Sequence, residues 1–273
     1  MKFKNLTYLL IATAALWSCQ SSGNKQGMEQ FAEDTSFQAA HESPEAIEFQ
    51  GKGSVVEFPT PDGKTGKAYS LKSAADTKNY LIVIHEWWGL NDQIRREAER
   101  LADSLGNVNV LALDMYDGKS TTDAEEAGKL MGELDDKRAQ AIVDGALQYA
   151  GADARIATIG WCFGGGWSLR TSIKAGDRGA GCVIYYGMPV EKADELAPLK
   201  ADVLGIFAKQ DGWINEPVVK KFEALAKATR KNLSVKWYDA EHAFANPSSP
   251  RYNEQAAQEA NAEALAFLRE HLR

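Results

Sequence analysis

Only three cysteines occur in the 273 residues, at positions 19, 162 and 182, and their number and placement imply no disulfide framework. Basic residues are outnumbered: 31 Lys and Arg against 38 Asp and Glu leave a net charge of −7, which argues against nucleic acid as a partner. Internal repeats are absent, and histidine is scarce at four residues. The apolar run from Tyr8 to Leu16 is too short to cross a bilayer as a permanent helix. What is present is an ordinary globular composition, long enough for one α/β domain with a sizeable core.

The N-terminus reads as an export signal over residues 1–18, with Lys2 and Lys4 as its basic start and the Tyr8–Leu16 run behind them. Leu16-Trp17-Ser18-Cys19 resembles a bacterial lipobox, in which Cys19 would carry lipid; the alternative is a secretory signal cut after Ala14 or Ala15. Residues 19–44, rich in Ser, Gly, Gln, Asn and acids and without hydrophobic periodicity, read as a disordered tether. The expectation is an exported, lipid-anchored protein at the periplasm or cell surface, whose only membrane contact is this anchor. A soluble exported protein is the alternative.

From residue 45 onward the chain alternates. A hairpin at Val55–Phe58 and Lys67–Leu71 is followed by apolar strands at Leu81–Ile84, Val108–Leu113, Cys182–Tyr186, Val203–Ala208 and Leu233–Tyr238, with amphipathic segments between them. Strands that alternate with helices and are apolar throughout predict a mostly parallel sheet covered on both faces, in one α/β domain over 45–273.

The stretch Ala157-Thr158-Ile159-Gly160-Trp161-Cys162-Phe163-Gly164-Gly165-Gly166-Trp167 reads strand, sharp turn, helix, with Cys162 at the apex of a G-x-C-x-G elbow. Gly160 and Gly164 would keep side chains out of the space where strand and helix crowd. Alone, the motif fits either an attacking thiol or a small buried hydrophobe. Three further polar residues follow strand ends: Glu86, Asp211 and His242. The order nucleophile, acid, histidine is that of the α/β-hydrolase fold, and ligands gather at the carboxyl ends of such strands. Among the histidines, His242 in its strand-to-helix loop is best placed as a base. His41 in the tether and His271 in the last helix read as solvated, and His85 as orienting a loop. Glu86, at the end of an apolar strand, should be desolvated into a proton acceptor, or else pair with Arg95 or Arg96. Cys182, inside an apolar run, reads as a buried structural thiol.

Together His85-Glu86-Trp87-Trp88-Gly89-Leu90-Asn91, Asp114-Met115-Tyr116, Gly160-Trp161-Cys162-Phe163-Gly164-Gly165, Asp211 and Glu241-His242-Ala243-Phe244 resemble the dienelactone hydrolase family, cysteine-dependent members of the α/β-hydrolase superfamily. The resemblance implies Cys162 as nucleophile, His242 as proton shuttle, Asp211 as its orienting acid, and Glu86 as a carboxylate hydrogen-bonded to the resting thiol. It also implies an oxyanion hole made by the backbone N–H groups of Phe163 and Trp87. Trp88, Tyr116, Trp161 and Trp213 are candidates to line the substrate pocket, with core packing as the alternative for the tryptophans. The implied reaction is cleavage of a carboxylic ester or lactone through an acyl-cysteine, by a monomer, without metal or cofactor. The alternatives are a ligand-binding lipoprotein on the same fold, and a thioesterase or acyl transferase. Members of the family that open dienelactone clamp its carboxylate with two arginines, and those positions here are Gly118, beside Lys119, and Asn246. An uncharged ester, lactone or thioester is therefore the expected substrate.

Overall fold

The computed structural model describes residues 27–273, so the expected signal segment and Cys19 lie outside the described residues. Eight strands form one sheet in the order β1-β2-β4-β3-β5-β6-β7-β8. They are β1 (Ser54–Pro59), β2 (Thr65–Leu71), β3 (Asn79–Ile84), β4 (Asn109–Leu113), β5 (Arg155–Trp161), β6 (Gly179–Tyr185), β7 (Asp202–Ala208) and β8 (Leu233–Tyr238). The hairpin β1–β2 is antiparallel and continues antiparallel onto β4, while every pair from β4 to β8 is parallel. Leu81, Ile82, Val83 and Ile84 in β3 are fully buried, as a strand with helices over both faces requires.

The crossings position the site. Helix α1 (Thr35–Ala40) precedes the sheet, and α2 (Asp92–Leu105) carries β3 to β4 in one direction along it. Helices α3 (Ala124–Glu133), α4 (Asp136–Ala150), α5 (Phe163–Ala175), α6 (Ala193–Leu196) and α7 (Glu216–Ala228) connect the strands that advance in the other direction, from β4 across to β5 and on to β8. Parallel crossovers are right-handed, so this reversal puts α2 on one face and α4, α5 and α7 on the other. The closing helix α8 (Glu254–His271) packs beside α2. The connections leaving β3 and β5 diverge at their carboxyl ends, which opens the crevice where such sheets bind ligands.

Three expectations are corrected. Residues 27–44 are not a free tether: a 3-10 turn at Gly27–Phe31 and helix α1 dock on the domain, with Met28 and Phe37 among its fully buried side chains. Asp34 caps α1 by accepting from the N–H groups of Ser36 and Phe37 at 2.8 and 3.1 Å. Glu29 accepts from the Trp167 indole at 2.8 Å and faces Arg170 at 4.0 Å. Nor is His41 solvated; it is 6% exposed and packs among aromatic rings. His271 is likewise half-buried, with Nε2 at 3.2 Å from Asp202. Among the described residues, no helix is long and apolar enough to cross a membrane.

Candidate active site

Residue 162 sits where β5 ends and α5 begins, at φ 54° and ψ −117°, a conformation costly for any residue with a side chain. The elbow exists because its neighbours are glycines. A Cβ on Gly160 would lie 2.1 Å from the Gly164 carbonyl oxygen, and one on Gly164 would lie 2.2 Å from that of Ile84. Any larger residue would push helix from strand. The turn lifts the Cys162 sulfur into the crevice and directs the N–H of Phe163, at the start of α5, toward it.

The loops after β7 and β8 complete a polar chain. Asp211 accepts from the N–H groups of Trp213 and Ile214 at 2.8 and 2.9 Å through one oxygen. Its other oxygen lies 2.6 Å from His242 Nδ1. That bond makes Nδ1 the protonated nitrogen and turns Nε2 toward the sulfur; one ring nitrogen of His242 lies within 4.8 Å of Cys162 Sγ. The pair is in electrostatic contact, although His242 Nε2 makes no hydrogen bond among the described residues. Cys162, Asp211 and His242 are all buried, at 1, 4 and 1% exposure. Burial raises the Cys162 thiol and resists charge on His242, but Asp211 and the sulfur together outweigh burial and raise the imidazole. Burial also opposes the Asp211 charge, yet the His242 ring and the two N–H donors bring its carboxyl below the usual range. A proton can therefore pass from sulfur to imidazole with the resulting charges supported on both sides.

Glu86 follows β3 and is 4% exposed. Its Oε2 accepts from the Asn246 side-chain amide at 2.5 Å, and Asn246 is in turn fixed by Ser248, whose N–H and hydroxyl donate to its oxygen at 2.9 and 2.7 Å. Oε1 has no hydrogen-bond partner among the described residues, so the bond to the resting thiol that the resemblance implies is not formed here. Neither is the pairing with Arg95 or Arg96, which engage Asp92 and Gln93. Asn246 is the functional residue that sequence reasoning read only as a missing arginine; no local signal marks it as the partner of a residue 160 positions away.

Burial pushes the Glu86 carboxyl from 4.5 up to about 7, against the opposing pull of His242 and Asn246. Between pH 4.5 and 7 the unfolded chain therefore releases a proton that the folded protein keeps, and stability falls as pH rises through that window. Glu86→Gln removes this loss. Urea unfolding should find the variant more stable than wild type at pH 8, by up to about 3 kcal/mol, with the gap closing toward pH 4.5.

The aromatic candidates divide. Trp161 borders a small cleft with Glu86, Gln93, Asn246 and Pro247. Tyr116 packs on Phe163 and His85, with ring centroids at 5.4 and 4.9 Å, and its charge would be felt at Cys162. Trp213 meets Phe37 and His41 at 5.2 and 5.6 Å over the site. Trp88 packs instead on Trp87, with ring centroids at 4.7 Å and the planes tilted by 58°. His85 orients its loop as read, with Nδ1 donating to the Glu86 carbonyl at 2.5 Å and Nε2 accepting from the Met115 N–H at 3.2 Å. Cys182 is fully buried, as expected. The N-terminal segment covers the whole: Phe37 and His41 lie 6.4 and 4.9 Å from the His242 ring, so a substrate reaches the sulfur only when side chains there shift.

Residues 67–272 match the dienelactone hydrolase family. The chain belongs to that family. Membership makes it an enzyme of the carboxylic ester hydrolase class. It is 27% identical over 228 residues to carboxymethylenebutenolidase 1 of Cupriavidus pinatubonensis, covering 78% of this chain and 95% of that protein. A carboxymethylenebutenolidase of Pseudomonas putida is 26% identical over 229 residues, covering 78% of this chain and 94% of the relative. The crystal structure of a dienelactone hydrolase from Anabaena variabilis superposes with a TM-score of 0.61 at 17% identity, over 82% of this chain and all of the other. That likeness speaks for the fold, an α/β hydrolase. Against the arginines of the family's carboxylate-binding members, this dienelactone hydrolase relative has an open Gly118 at φ 96°, an exposed Lys119, and Asn246 engaged with Glu86.

Proposed function

We propose that this protein hydrolyses uncharged carboxylic esters or lactones through an acyl-cysteine intermediate on Cys162. The observation that carries the reading is the buried set of Asp211, His242 and Cys162, with Asp211 bonded to His242 Nδ1 and the sulfur of a nucleophile elbow within 4.8 Å of a ring nitrogen. The Cys162 sulfur attacks the acyl carbon while its proton passes to His242 Nε2. The N–H groups of Phe163 and Trp87 donate to the oxyanion, a role supported by the orientation of the first toward the sulfur. The carbon–oxygen bond then breaks, and His242 delivers the proton to the leaving oxygen. Water attacks the thioester, giving one proton back to His242; the acid leaves, and the proton returns to the sulfur. Glu86, buried and bonded to Asn246, acts on the sulfur through its charge, which favours the protonated resting thiol and leaves the proton transfer to His242.

The preference for an uncharged acyl group rests on Gly118 and Asn246, neither of which offers a cation to a substrate carboxylate. The test is the initial rate on p-nitrophenyl acetate and on matched lactones with and without a carboxylate, before and after iodoacetamide. Hydrolysis should be present, should favour the neutral lactone by at least about tenfold, and should disappear on alkylation. Full activity after complete alkylation, or no turnover of any ester under reducing conditions, would contradict the reading.

A further inference from the structure

We propose that His41, Cys162 and His242 form a three-ligand site for a soft transition-metal ion, Zn²⁺ being the best fit, assembled when the N-terminal segment docks on the domain. One ring nitrogen of each histidine and the Cys162 sulfur lie within 4.8 Å of one another, and all three side chains are more than nine-tenths buried. The two rings are prepared in the same way. His242 Nδ1 is bound to Asp211 at 2.6 Å and His41 Nδ1 to the Phe37 carbonyl at 2.6 Å. Each bond fixes the tautomer and leaves Nε2 as the lone-pair nitrogen, and in both rings Nε2 is buried without a hydrogen-bond partner among the described residues. Carboxylate and carbonyl partners at the far nitrogen are the usual outer support of a metal-binding histidine.

The donor set selects the ion. Two imidazoles and a thiolate suit Zn²⁺ and exclude Mg²⁺ or Ca²⁺, which require oxygen ligands. Tetrahedral Zn–N bonds of about 2.0–2.1 Å and a Zn–S bond of about 2.3 Å place the donors roughly 3.3–3.6 Å apart, so small rotations of His41 and Cys162 close the site. The fourth position falls to water. Binding displaces one proton to solvent, from the thiol or from the imidazolium that its ionisation creates. The ion takes the sulfur and the His242 lone pair that hydrolysis needs and ties the N-terminal segment over the crevice. Metal binding is read without any substrate, so its outcome is separate from that of the hydrolase reading.

Titration of the reduced full chain with Co²⁺ should give one equivalent bound, with a sulfur-to-cobalt charge-transfer band and intense visible ligand-field bands. His41→Gln should weaken binding at least about tenfold, and carbamidomethylation of Cys162 should remove the charge-transfer band. X-ray absorption of the wild-type zinc form requires no variant, and should show two nitrogen ligands of imidazole type and one sulfur. Absence of the sulfur band in wild type, a first shell with a single imidazole, or equal affinity in folded His41→Gln would overturn the proposal.

Discussion

Cys162→Ala is expected to lower ester hydrolysis by about 10⁴-fold or more while the protein stays folded. The size follows from the mechanism: with no sulfur there is no acyl-enzyme, and His242 and the backbone N–H groups can only assist direct attack by water. Alanine has the same Cβ as cysteine, so it meets the φ of 54° with no greater strain, and only the sulfur is lost from a buried position. The thermal midpoint should stay within a few degrees of wild type. Initial rates on p-nitrophenyl acetate, measured beside a melting curve, separate lost chemistry from lost folding.

Asp211→Asn is expected to cost about 10³- to 10⁴-fold in turnover, with substrate affinity little changed. The asparagine oxygen can still accept from the Trp213 and Ile214 N–H groups, so the loop keeps its turn. Its NH₂ then faces His242 Nδ1 and donates to it, which moves the ring proton to Nε2, the nitrogen that must accept from the thiol. The variant also removes the chief support of the His242 cation, so the imidazole titrates lower and the thiolate becomes harder to form. The pH profile of inactivation by iodoacetamide should accordingly move to higher pH. An unchanged profile with full turnover would mean that Asp211 is merely a turn residue.

The elbow was legible in the sequence because its demands are local. Gly160 and Gly164 are needed by backbone contacts of 2.1 and 2.2 Å that no other residue permits, and such demands are written into neighbouring positions. The buried strands were legible for a related reason: Leu81-Ile82-Val83-Ile84 is apolar on both faces, which only a covered sheet explains. Placing Glu86, Asp211 and His242 after strands then followed from topology.

The docking of the N-terminal segment was not legible, because Met28, Phe31 and Phe37 show no period that a helix or strand would impose. Their partners, including the Trp87 and Trp213 rings at 5.1 and 5.2 Å from Phe37, are far away in sequence. The one local signal was Asp34 ahead of Thr35-Ser36-Phe37, a helix cap followed by an apolar residue. His41 was misplaced with this segment. The Asn246–Glu86 bond escaped for the same reason, since a contact between two loops has no signature in either.

The measurement that tests the account most directly is the mass of the protein during turnover of p-nitrophenyl acetate, quenched in acid and mapped by peptide. The account predicts one added acetyl group, on the peptide that contains Cys162, removable by hydroxylamine and absent in Cys162→Ala. Rapid turnover with no acetylated peptide in a burst-phase quench, or an acetyl group carried elsewhere while Cys162→Ala remains active, would contradict it.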